Sequence, residues 1–391
     1  MPTLIEGATA LLPDGPAPAS VLIDGGRIAA VGSAAVVPRG PGIRRIDAAG
    51  LILAPGLIDL QLNGGFGADF TTEPRSIWAV ANRLPEHGVT AFLPTLVSPS
   101  AEMVAAAIEA LAAGPPDGHA GAVPLGWHVE GPFIHPDASR AHDAARLRLP
   151  DPAFVERWTP DAGVRLVTLA PELPGALEVA RALSDRGVVV AAGHSTASYE
   201  QGAAGIAAGV RYATHLFNAM PPIRAREPGL ALALLEDPRV VVGLIPDGIH
   251  LDPAVVRLVQ RLVGSDRLSV VTDSTAALGM PDGEHVLAGR SVVLSKGEVR
   301  DPEGRLAGSS LAADEAVRNL AAVAGLAPGH AIAAMTSVPA RLLGMETERG
   351  AIAAGTRADL VLFDQELRPV AVLVAGELVH GDDGSPMAAT A

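Results

Sequence analysis

Four side chains of the metal-ligand and acid–base set stand at the ends of four short apolar runs. The runs are PLGWHVE ending at Glu130, GVVVAAGH ending at His194, VRYATH ending at His215 and RLSVVTD ending at Asp273. Each run reads as a buried β-strand. Any one of these residues alone is adequately read as a satisfied polar group at a strand end. The four together point to groups gathered on the rim of a parallel barrel, where the ends of several strands meet. One carboxylate plus two imidazoles is a common catalytic zinc shell that leaves a place for water. An extra carboxylate is then available to take that water's proton.

The elements that must position these groups alternate along the central part of the chain. Strand candidates are GLIDLQL, VTAFLPT, PLGWHVE, VRLVTLA, GVVVAAGH, VRYATH, VVVGLIPD and LSVVTD. Helical stretches lie between most of them: SIWAVANRLPEH, AEMVAAAIEALAA, PGALEVARALSDR, SYEQGAAGIAAG and PAVVRLVQRLVG. Pro253 sits near a helix start, where its missing N–H costs little. Strands alternating with helices predict an α/β fold, a (β/α)8 TIM-like barrel. A doubly wound sheet would need a Gly-rich phosphate fingerprint after its first strand, and none is present. A β insertion is expected near 283–306, followed by a closing helix in SLAADEAVRNLAAVAG. The N-terminal runs TLIEGATALL, ASVLIDG and RIAAVG read as short strands, the last two joined as a hairpin at Gly25–Gly26. The C-terminal runs GAIAAGTRADLVLFD and PVAVLVAGELVH behave alike. We expect residues 1–54 and 346–391 to pair into a small β-sandwich domain, ending in a loose tail, with the barrel formed by 55–345.

Composition limits what such a barrel does. The 391 residues are 49% hydrophobic, so a large core is available, built from Ala, Val and Leu because aromatics are only 3%. The formal net charge of -14 argues against nucleic acid or an anionic membrane as partner. It also means that an anionic substrate needs a local cationic pocket. With no cysteine, disulfides, thiolate metal sites and cysteine nucleophiles are excluded. Lys296, the one lysine, falls in the expected hairpin turn of VVLSKGEV, a poor place for Schiff-base chemistry. No secretory signal is visible and no apolar run reaches transmembrane length, so a cytoplasmic protein is expected.

PGLIDLQLNG covers the first barrel strand and puts Asp59, Gln61 and Asn63 on one face. Here the chain resembles the amidohydrolase superfamily. Many members carry His-x-His at this point and bind a second metal there. Gln61 and Asn63 stand in its place, and amides are poor ligands beside imidazoles, so one ion is expected. The amides are expected to hydrogen-bond around the site. HVEGPF, AGHSTAS, THLFNAMPP, REPG, PDGIHLDP, VTDSTAALG and LAGSSL resemble, in order, the N-acetylglucosamine-6-phosphate deacetylase family over nearly the whole chain.

The resemblance implies that Glu130, His194 and His215 bind the metal and that Asp273 is the catalytic base. It implies that His142 contacts the acyl carbonyl of the substrate and that Asn218 and Ala219 lie at the phosphate. Arg226 and His250 match cationic contacts to the sugar phosphate. Leu306, Ala307 and Gly308 match a loop near the sugar. His128 shares the strand face of Glu130 and is read as a packing or supporting residue. His135 lies close to His142 in sequence and competes for the carbonyl contact. His87, His119, His285, His330 and His380 read as solvated. The activity so implied is metal-dependent hydrolysis of the acetamide of N-acetyl-D-glucosamine 6-phosphate. Zinc is the expected ion, with iron, cobalt or manganese as alternatives, and a homodimer is implied. Three other readings stay open: the galactosamine equivalent, an N-acyl amino acid deacylase or deaminase, and a non-catalytic scaffold. Deaminases keep the first-strand histidines, and scaffolds tend to lose ligands or the base.

Overall fold

A computed structural model describes residues 1–33 and 42–381. Its centre is a parallel sheet of eight barrel strands: β1 (Leu57–Leu62), β2 (Val89–Val97), β3 (Trp127–Glu130), β4 (Val164–Leu169), β5 (Val189–Ala192), β6 (Val210–Ala213), β7 (Val241–Leu244) and β8 (Leu268–Val270). Neighbours pair in sequence order from β1 to β8. The barrel closes just past β8, where Leu62 bridges Ser274 in parallel and Asp273 N donates to Gln61 O at 2.9 Å. Strands walled in on both faces carry no polar–apolar alternation, and all nine residues of β2 are buried.

The interior is not wholly apolar. Thr95 Oγ1 meets His128 Nδ1 at 3.3 Å, His128 Nε2 meets Thr168 Oγ1 at 2.8 Å, and Thr168 Oγ1 meets Thr214 Oγ1 at 2.7 Å. Thr272 donates to Asp59 at 2.6 Å. Buried polar groups are tolerable when they satisfy one another in this way.

The two ends of the chain form the remaining large sheets. Thr3–Glu6, Ser20–Asp24, Arg27–Gly32 and Arg44–Asp47 make a four-stranded sheet. In a six-stranded sheet, Ile52–Pro55 pairs antiparallel with Leu360–Phe363, so N- and C-terminal segments share one sheet. Both sheets contribute to a second core, with Ile5, Val21 and Ile46 from one and Leu53, Leu360 and Leu373 from the other. Gly7 (φ 86°) divides TLIEGATALL: Thr3–Glu6 joins the first sheet and Thr9–Leu12 the second. In GAIAAGTRADLVLFD only Leu360–Phe363 is strand. The preceding stretch turns at Gly350 (φ 80°) and Gly355 (φ 91°). The tail from 382 onward lies outside the described residues.

Gly283–Leu287, Arg290–Ser295 and Glu298–Arg300 form a three-stranded antiparallel sheet. Its turn at Lys296 (φ 52°) and Gly297 (φ 84°) leaves Lys296 exposed. Leu287, Val292, Leu294 and Val299 pack with Val97, Ala277 and Ala307, which seats the insertion over the strand ends.

Three helices carry no clear signal in the sequence. Gly229–Glu236 follows β6, and Pro328–Ala333 and Ser337–Leu342 follow the closing helix Ala313–Ala324. The first, GLALALLE, is buried at six of eight positions and so has no polar face to betray a helical period. It packs against the helix Tyr199–Ala207, where a Cβ on Gly202 would meet Leu230 and Ala233 at 3.0 Å.

Candidate functional site

The strand ends deliver four groups to one place. Glu130 is the last residue of β3, while His194, His215 and Asp273 lie two, two and three residues beyond β5, β6 and β8. Each of these last three has a positive φ: 48°, 26° and 51°. Non-glycine residues in this region cost about 1–3 kcal/mol each and persist only where the surroundings hold them, typically at working sites. The surroundings do hold them. His194 O accepts from His135 N at 3.0 Å, and Asp273 O accepts from Ser309 N at 2.9 Å.

His194 Nε2, His215 Nε2 and Glu130 Oε1 converge. The two nitrogens are 3.1 Å apart and lie 3.3 and 3.1 Å from the carboxylate oxygen. A tetrahedral ion with bonds of about 2.0–2.1 Å has ligand–ligand edges of about 3.3 Å. His194 Nδ1–H donates to Ala138 O at 2.9 Å, which leaves its Nε2 lone pair directed at the cluster. Lone pairs and a carboxylate brought this close repel unless positive charge sits among them. Burial alone would depress the His215 pKa. The Glu130 hydrogen bond and the charges of Glu130 and Asp273 outweigh burial and raise it, so the site favours positive charge. Burial works to raise the Glu130 pKa, yet His194 and His215 hold it well below the usual range. The donor set therefore fits a divalent metal, and all three residues are buried.

Asp273 stands beside this cluster. Its Oδ1 accepts from Asn63 Nδ2 at 2.8 Å and from Gln61 Nε2 at 3.0 Å. Gln61 Nε2 also donates to Glu130 Oε1 at 3.0 Å, so one amide NH2 spans two carboxylates that would otherwise repel. Burial first, and then the charge of Glu130, raise the Asp273 pKa, while His215, His250 and Asn63 oppose the rise. A carboxylate so shifted is a better proton acceptor near neutral pH.

These groups line a cavity of about 310 Å³, within the usual range for small-molecule sites. His142 lines it and is buried, with Nδ1 2.8 Å from Ser98 Oγ and Nε2 3.7 Å from Glu130 Oε2. Burial and the charge of His194 keep its pKa well below the usual range, so it is a neutral donor. His135 instead accepts from Asp137 N at the cap of a 3-10 turn and does not line the cavity. Asn218, Ala219, His250, Leu306, Ala307 and Gly308 all line it. Gly308 (φ 66°) has no room for a side chain, since a Cβ would lie 2.6 Å from Thr275 and 2.8 Å from Asp273 O. His128 is buried below in the threonine network, its pKa pushed down to about 4 by burial against the opposing charge of Glu130.

Arg226 is the one expected substrate contact that the fold does not bring to this cavity. It is exposed and lies off this cavity, while its neighbours Arg224 and Glu227 pair with each other at 3.1 Å. Charged cavity residues that the sequence reading passed over are Arg140 and Arg305, and Ser98 and Asp247 support His142 and His250. Arg140 lies two positions before His142, and Asp247 is the second residue of PDGIHLDP, so both stand close to residues that the resemblance marks. Two histidines read as solvated are not: His87 Nδ1 meets Asp314 at 3.1 Å, and His119 packs edge-on against Trp78.

Comparison with known proteins places this geometry. The amidohydrolase family model matches residues 52–379. Human N-acetylglucosamine-6-phosphate deacetylase is 39% identical over 359 residues, covering 87% of this chain and 86% of the relative. The N-acetylgalactosamine-6-phosphate deacetylase of Escherichia coli O157:H7 is 35% identical, covering 84% and 87%. An aspartate-to-alanine mutant of the Mycobacterium smegmatis N-acetyl-D-glucosamine-6-phosphate deacetylase, solved in complex with N-acetyl-D-glucosamine-6-phosphate, superposes with a TM-score of 0.86 at 36% identity, covering 97% of this chain and 99% of that one. The chain thus belongs to the amidohydrolase family and, within it, to the N-acetylglucosamine-6-phosphate deacetylases.

Proposed function

We propose that the chain hydrolyses the acetamide of N-acetyl-D-glucosamine 6-phosphate to glucosamine 6-phosphate and acetate, using one divalent ion held by Glu130, His194 and His215. The observation that carries this reading is the convergence of those three donors beside the Asp273 carboxylate on one cavity. Zinc suits two imidazoles and a carboxylate. A divalent ion bound there supplies Lewis acidity and brings the pKa of a water toward about 7.

The chain's own residues then carry the proton. Asp273 Oδ1 is occupied by Asn63 and Gln61, which leaves Oδ2 to take the proton of the attacking water. The same carboxyl returns that proton to the departing nitrogen. Without this return the leaving group would be an amide anion, so the second transfer matters as much as the first. His142 Nδ1 lies 2.8 Å from Ser98 Oγ; with Ser98 as the donor, Nε2 carries the hydrogen and is available to the acyl oxygen as it gains charge. His250, Asn218 and Ala219 bind the phosphorylated end, and Leu306–Gly308 borders the sugar. The exposure of Arg226 off its own cavity agrees with a homodimer in which it serves the neighbouring subunit's phosphate site.

A second reading, with N-acetyl-D-galactosamine 6-phosphate as substrate, is favoured by the 35% identity to the Escherichia coli relative. Acetate release from both phosphorylated sugars and their unphosphorylated forms tests the two together. We expect the glucosamine derivative to give the highest kcat/KM. A higher value for the galactosamine derivative would transfer the assignment, and release from neither would end it.

A further inference from the structure

An anionic substrate must reach this cavity against the field of a chain with formal net charge -14. Besides the histidines around Glu130, three side chains of cationic type line the cavity: Arg140, His250 and Arg305. Two of them already hold carboxylates. His250 Nδ1 meets Asp247 Oδ2 at 2.6 Å. Arg305 donates through Nε to Asp301 Oδ2 at 2.7 Å and through a terminal nitrogen to Glu303 at 2.9 Å. Arg140 has neither a carboxylate nor any other hydrogen-bond partner among the described residues.

Its position is nonetheless built. Arg140 adopts φ 53°, a conformation that ordinarily favours glycine. The loop is tied down on both sides of it. Before it, His135 N donates to His194 O at 3.0 Å, and Ala138 O accepts from His194 Nδ1 at 2.9 Å. After it, His142 is held by Ser98 at 2.8 Å through its ring and by Arg290 at 3.2 Å through its carbonyl. Arg140, itself exposed, thus lines the cavity from a loop anchored to the site itself.

Building on the deacetylase reading above, we propose that Arg140 is a further phosphate-recognising cation, contributed beside His250 by the same subunit as the cavity. Its planar fork donates two charge-assisted hydrogen bonds to non-bridging oxygens of the 6-phosphate. That contact holds the phosphorylated end while the acetamide lies at Asp273, so Arg140 sets specificity without touching the reacting atoms.

Two variants test this. Arg140→Gly removes the charge and suits the left-handed backbone, and Arg140→Lys keeps the charge without the fork. Acetate release is measured on N-acetylglucosamine with and without its 6-phosphate, and binding of inorganic phosphate by calorimetry. For Arg140→Gly we expect kcat/KM on the phosphorylated sugar to fall by about ten- to a hundredfold, mainly through KM. The unphosphorylated sugar should change by less than about twofold, inorganic phosphate should bind correspondingly more weakly, and Arg140→Lys should recover part of the loss. Equal losses on both sugars would overturn the proposal, because Arg140 would then serve the loop. An unchanged ratio between them would overturn it as well. If the unsubstituted enzyme releases acetate from neither sugar, the deacetylase reading fails, and phosphate binding alone decides whether Arg140 holds the anion.

Discussion

Asp273→Asn isolates the proton transfer at the centre of the mechanism. Two donors, Asn63 Nδ2 at 2.8 Å and Gln61 Nε2 at 3.0 Å, converge on Asp273 Oδ1. An asparagine must keep its oxygen in that position, because an NH2 there would face two other NH2 groups. The new nitrogen is forced into the place of Oδ2, the oxygen free to accept a proton. The substitution therefore removes the base and leaves the shape, the amide contacts and the converging donors of Glu130, His194 and His215 in place. General acid–base catalysis contributes about 10²–10⁴-fold, or roughly 2.7–5.5 kcal/mol at about 1.36 kcal/mol per factor of ten. We predict that kcat for acetate release falls at least about a hundredfold while KM moves little. Metal content by elemental analysis should match that of the unsubstituted enzyme. A variant with full metal and near-normal kcat would show that another group moves the proton, and the assignment of Asp273 as base would be wrong.

Gln61→Leu removes the amide that spans Glu130 and Asp273 at 3.0 Å each. Losing two hydrogen bonds to charged groups, each worth about 1.5–3 kcal/mol, should lower kcat by about tenfold or more with metal retained. A kcat within twofold of normal would remove Gln61 from the mechanism. His128 makes a pH prediction. Burial against the opposing charge of Glu130 takes its pKa from 6.5 down to about 4 in the folded chain. As pH falls from about 6.5 toward 4, the unfolded chain gains a proton that the native chain refuses. His128 thus contributes stability that is present above pH 6.5 and lost on acidification, at up to about 1.4 kcal/mol per pH unit. The stability of metal-free protein, from urea unfolding at pH 7 and pH 5, should fall less for His128→Gln than for the unsubstituted chain, by up to about 2 kcal/mol. Equal losses in the two proteins would mean that His128 titrates normally in the fold.

Much of this site could be read from the chain because a barrel imposes a simple rule. Apolar runs buried on both faces end where polar residues begin, and those ends meet on one rim. Glu130, His194, His215 and Asp273 are visible for that reason, and so are Gln61 and Asn63 by alternation along β1. Arg226 shows where the rule stops. It belongs to a loop, and nothing in REPG says whether a loop side chain will face the cavity. Arg140 was missed for the same reason. It stands on a loop whose path is set by contacts to His194 and Ser98, far away in sequence. The helix Gly229–Glu236 was hidden because six of its eight positions are buried, so its residues carry no helical period.

The central claim is that acetate release depends on a single ion among Glu130, His194 and His215. The direct measurement strips the enzyme with a chelator and titrates zinc back, following both bound metal and the initial rate on N-acetyl-D-glucosamine 6-phosphate. The rate should be negligible in the stripped enzyme, rise in proportion to bound zinc and level off at one ion per chain. Full activity without metal, or a rate that climbs until two ions are bound, would contradict it.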